Sequence, residues 1–113
     1  MQKILILAGG LGGAAGIALS AAAAHAGGGH VETAARFLLI HAPALLAIGL
    51  AGRGRVMTAG GGALLLGLTL FCGDLLMRQY VGARLFPMAA PAGGTLMILG
   101  WLAVAASPFA RRA

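Results

Sequence analysis

The chain has 113 residues, of which 60% are hydrophobic and 9% charged, and a mean hydropathy of +0.97, which excludes an ordinary water-soluble domain. Its net charge is +6, but the basic residues lie at the ends of apolar segments and in loops, as membrane flanks do, so no nucleic-acid partner is read from them. Cys72 is the only cysteine, which excludes an intramolecular disulfide and a thiolate metal cluster.

A helix needs roughly 20 apolar residues to cross a hydrocarbon core about 30 Å thick, and four such stretches follow one another here. They predict an all-α integral membrane protein, a four-transmembrane-helix bundle with short loops, forming a single domain over residues 1–113. The first helix is placed at 4–26, since no residue from Ile4 to Ala24 is ionisable. Lys3 ahead of this run and Ala24-His25-Ala26 behind it also resemble a signal peptide with its cleavage site, but the run is long for one, and a retained helix is expected. Gly27, Gly28 and Gly29 make the first loop. The second helix is placed at 33–51, with Thr33 as its cap and Glu32 near its positive end.

Gly52-Arg53-Gly54-Arg55 is a basic turn, and the third helix, 56–77, is apolar except for Asp74. The polar run Arg78 to Arg84 is read as the third loop. Pro87 or Pro91 fits the first turn of the fourth helix, 87–107, where a missing N–H costs little. Lys3, Arg53, Arg55, Arg111 and Arg112 fall on one side, and Arg36, Arg78 and Arg84 on the other. Five against three places both termini in the cytoplasm. Small residues at four-residue spacing, Gly12, Gly16, Ser20 and Ala24, are expected to form a close-packing stripe. Ala59, Ala63 and Gly67, and Ala90 and Gly94, offer similar surfaces on the third and fourth helices.

Several segments carry a resemblance to a known family. They are Ala23-Ala24-His25, Glu32 to Ala42, Leu70-Phe71-Cys72-Gly73-Asp74, and Leu85 to Gly94 leading to Leu99-Gly100-Trp101. In order and spacing the chain resembles the domain-of-unknown-function 423 family over nearly its whole length, a family similar to eukaryotic transmembrane protein 256. The resemblance implies a small four-helix protein of the bacterial inner membrane and no particular activity. Ala26 stands where the family usually has glycine, and Leu39 where a polar or aromatic residue is frequent. His25, His41 and the Pro91-Gly93-Gly94 turn are the positions carried over, without a catalytic role.

Ionisable groups inside membrane segments are costly, so each is a candidate site. The candidate ligand-binding residues are His25, Arg36, His41, Asp74 and Arg78, which antiparallel helices are expected to gather toward one end of the bundle, with Thr95 at similar depth. Asp74 and Arg78, like Glu32 and Arg36, are four apart and read most simply as ion pairs at the membrane boundary. His41 lies deeper and needs a partner, either a backbone carbonyl or Asp74. No two candidate ligands have the short spacing of a zinc motif, so no metal and no cofactor is expected. Cys72 is expected to be a packed thiol and Trp101 a packing or interfacial residue. No phosphate loop, serine elbow or carboxylate pair is present, which argues against an enzyme. Two functions fit: a structural, accessory or assembly component packing in the lipid bilayer with a membrane-protein partner or a second copy, and a small carrier of a ligand, proton or ion.

Overall fold

The computed structural model describes residues 1–110, so that Arg111 and Arg112, counted above for orientation, lie outside the described residues. Four helices follow in order, α1 (Gln2–Ala26), α2 (Gly29–Ala51), α3 (Arg55–Tyr80) and α4 (Ala89–Ala106), and a short 3-10 turn, Ser107–Phe109, extends the last. All four are long and apolar enough to cross a membrane. At 1.5 Å per residue, α2 is about 33 Å long, the thickness of a hydrocarbon core.

The helix boundaries differ from expectation where local chemistry outweighs residue type. Gly27 and Gly28 suffice for the first turn because both take positive φ, 77° and 103°, and α2 starts at Gly29. Thr33 is therefore inside the helix, and its hydroxyl donates to the Gly29 carbonyl at 2.9 Å instead of capping. Arg78 and Gln79 belong to α3, which ends when the N–H groups of Val81 and Gly82 both reach the Met77 carbonyl. Pro87 stays in the loop, and Pro91 occupies the first turn of α4. Pro43, inside α2, is the one interior proline of the long helices that lies beyond a first turn.

The helices pack as two antiparallel hairpins, α1 with α2 and α3 with α4, joined along α2 and α3. Two reciprocal glycine contacts set the second hairpin. A Cβ on Gly67 would stand 2.6 Å from the Gly93 carbonyl oxygen and one on Gly93 2.6 Å from that of Gly67, while Gly60 and Gly100 face each other in the same way at 3.0 Å. These pairs lie seven residues apart on both helices. In α1 the close positions include Gly9, whose Cβ would stand 2.9 Å from the Ala42 carbonyl oxygen, and Gly16, held against the Leu39 side chain.

The expected packing surfaces are thus partly corrected. Gly12 and Gly16 are buried as read, but Ala24 and Ala59 are exposed, and nothing stands within 4 Å of a Cβ on Gly94. Between the hairpins a continuous apolar core joins Leu5, Leu45, Ile48, Leu64, Leu68 and Met97.

Candidate functional site

Asp74 lies near the end of α3, and burial there is complete. Its Oδ2 is 2.9 Å from an Arg78 guanidinium nitrogen one turn later on the same helix. That contact has the distance of an ion pair without the angle of a hydrogen bond, so Oδ2 and the buried Arg78 Nε make no hydrogen bond. The other oxygen, Oδ1, accepts the Leu85 N–H at 2.8 Å. A carboxylate on the third helix therefore fastens the α3–α4 loop. That loop turns at Gly82 and enters α4 through Met88, a non-glycine residue at φ 69°.

His41 belongs to a different site. Its Nδ1 donates to the Phe37 carbonyl at 2.8 Å, and its Nε2 accepts the Trp101 Nε1–H at 3.1 Å. A carbonyl only accepts and an indole N–H only donates, so together these partners select the neutral imidazole with its proton on Nδ1. The ring stacks on Phe37, which packs against Phe71, and it tilts against Trp101. Both His41 and Trp101 lie twelve residues beyond the first residue of their helices, about 18 Å down, near mid-membrane. The bond joins α2 to α4, two helices that run in parallel.

The expected gathering of His25, His41 and Asp74 at one level is therefore corrected. Gly28 sits against the Gln79 side-chain amide, which aligns the ends of α2 and α3. Asp74 is five residues below Gln79 and His41 thirteen below Gly28, a difference of about 12 Å along the bundle. His25 is exposed at the end of α1, and Thr95 is exposed with its hydroxyl on the Pro91 carbonyl. Arg36 pairs with Glu32 at 3.2 Å on the outer face of α2. Of the five candidates, only Asp74 and Arg78 meet. Cys72 is buried, with its thiol directed at the Ala34 carbonyl. Among the described residues no group of three His, Cys, Asp or Glu could hold a metal ion.

Two partners escaped the sequence reading, the Leu85 N–H and the Trp101 indole. A backbone donor leaves no mark in a sequence. The indole is level with His41 only from the observed helix starts, Gly29 and Ala89, since the expected starts at 33 and 87 give unequal offsets.

Four apolar helices in two hairpins, with His41 and Asp74 each partnered within the bundle, define a multi-pass helical membrane protein. The chain belongs to the family described as "Protein of unknown function (DUF423)", whose family model matches residues 13–94. No solved structure matches it.

Proposed function

We propose that the protein is a non-enzymatic accessory or assembly component of the bacterial inner membrane, acting by packing against another membrane helix. The observation that carries this reading is how the two buried polar residues are occupied. His41 joins α2 to α4, and Asp74 holds Arg78 and the α3–α4 loop. Neither is left facing a common pocket, as a carrier would need. The face available for a partner is the outer side of α1, where Gly10, Ala14 and Ala18 are exposed at four-residue spacing and nothing stands within 4 Å of a Cβ on Gly10.

A photo-cross-linking residue at Ala14 is expected to capture a second membrane helix in native membranes, and Gly10→Leu is expected to abolish the adduct while leaving thermal stability unchanged. Adducts to lipid alone at Ala14 would remove this reading. The orientation has its own test. In a Cys72→Ala background, His30→Cys and Gln79→Cys should react with an impermeant thiol reagent from outside intact cells, whereas Arg53→Cys should react only after permeabilisation. The reverse pattern would invert the chain.

A further inference from the structure

We propose that the groove between α1 and α2 binds a phospholipid with a primary-amine headgroup, such as phosphatidylethanolamine. The groove has a volume of about 620 Å³. Its α1 wall is made of Ser20, Ala23 and Ala24, whose small side chains leave the space open, and its α2 wall descends through Glu32, Arg36, Leu39 and Ile40.

The ion pair on this wall is placed unusually for a surface pair. Arg36 lies seven residues into α2, about 10 Å from its start, and faces the last turns of the α1 run that has no ionisable residue. Both charged side chains are about two-thirds exposed, at 64% and 66%. On the outer face of a helix long and apolar enough to cross a membrane, a pair this far from the helix start is placed to meet lipid. Charged side chains there need polar partners from the lipid itself.

The order of groups along the wall identifies the lipid. From the start of α2 inward the wall carries first the paired carboxylate and guanidinium, side by side because Arg36 reaches back one turn to Glu32, and then the apolar Leu39 and Ile40. An ethanolamine phospholipid presents an ammonium and a phosphate close together and then acyl chains, with signs complementary to the carboxylate and the guanidinium. Arg36 has five N–H donors, and among the described residues one of them is engaged, with Glu32. The remainder suit a phosphate. The carboxylate of Glu32 accepts N–H bonds, which a primary ammonium offers and a quaternary choline does not. The groove is lined by α1 from Ser20 to Ala24, and none of Gly10, Ala14 and Ala18 lines it, so this site and the partner face can fail separately.

The test is native mass spectrometry of the full chain, delipidated and then titrated with micelles containing phosphatidylethanolamine, phosphatidylcholine or phosphatidylglycerol of identical acyl chains. Wild type should retain the ethanolamine lipid in preference to the choline lipid. Arg36→Gln should lower retention of both phosphatidylethanolamine and phosphatidylglycerol roughly tenfold, the weight of one charge-assisted hydrogen bond. Glu32→Gln should keep phosphatidylglycerol and lose the preference for ethanolamine over choline. Circular dichroism should show both variants folded, and Ile40→Trp, which fills the lower groove from an exposed position, should also reduce retention. Soluble phosphoethanolamine should not displace the lipid. Equal retention of ethanolamine and choline lipids by wild type, unchanged retention in the variants, or displacement by soluble phosphoethanolamine would each overturn the proposal.

Discussion

Gly93→Ala is expected to open the α3–α4 hairpin, whereas the same substitution at the neighbouring Gly94 leaves it intact. The new Cβ at position 93 would stand 2.6 Å from the Gly67 carbonyl oxygen and 2.7 Å from the Phe71 amide nitrogen. Both are backbone atoms, so no side chain can rotate aside and the helices must separate. Separation also weakens the Gly60–Gly100 contact two turns further down the same seam. In lipid the driving force for helix association is close packing rather than escape from water, so what is lost is not regained elsewhere. A cost of about 3 kcal/mol is expected, at the upper end of what overpacking produces. At Gly94 the added methyl meets nothing within 4 Å. Thermal unfolding in detergent, followed by helical ellipticity, distinguishes the two, and equal midpoints would mean that the glycine seam does not hold the hairpin.

Removing the Asp74 carboxylate has the second large effect. Asp74→Leu leaves the Leu85 N–H without its acceptor and the Arg78 guanidinium without its counter-charge. Arg78 is 28% exposed and can turn toward the headgroups, which recovers part of the loss. The expected destabilisation is about 3 kcal/mol. Asp74→Asn retains an oxygen for Leu85 and should cost about 1 kcal/mol. The stronger signature is local. In Asp74→Leu, protease cleavage between Val81 and Met88 should accelerate, and in Asp74→Asn it should stay close to wild type. Equal cleavage rates in all three proteins would show that the loop is held by other contacts.

The number and type of the helices could be read from the sequence, because four runs of apolar residues separated by glycine or charge admit one solution in a bilayer. Which face of each helix turns inward could not. In a soluble helix the polar face marks the outside, but α4 offers Pro91, Gly93, Gly94 and Gly100 among aliphatic residues on all sides. Four-residue spacing therefore favoured Ala90 and Gly94, while the seven-residue pairing of Gly67 with Gly93 and Gly60 with Gly100 decided the packing. The Asp74–Arg78 and Glu32–Arg36 pairs were legible because one helix turn determines them. The contact of His41 with Trp101, sixty residues away, was not, because it depends on how the two hairpins lean together. His41 and Asp74 both lie toward one end of the bundle in the sequence, but their distances from the α2 start and the α3 end, twelve and six residues, keep them at different depths.

The His41–Trp101 bond gives the molecule a built-in optical reporter. Trp101 is the only tryptophan in the chain, so ultraviolet emission excited at the red edge originates from one indole alone. That indole is 40% exposed to the surroundings of the bundle and donates its only N–H to an imidazole on another helix. Its emission wavelength and lifetime thus register whether α2 and α4 are in contact at mid-membrane, and they do so in the unlabelled protein, in any bilayer and alongside any partner that lacks tryptophan.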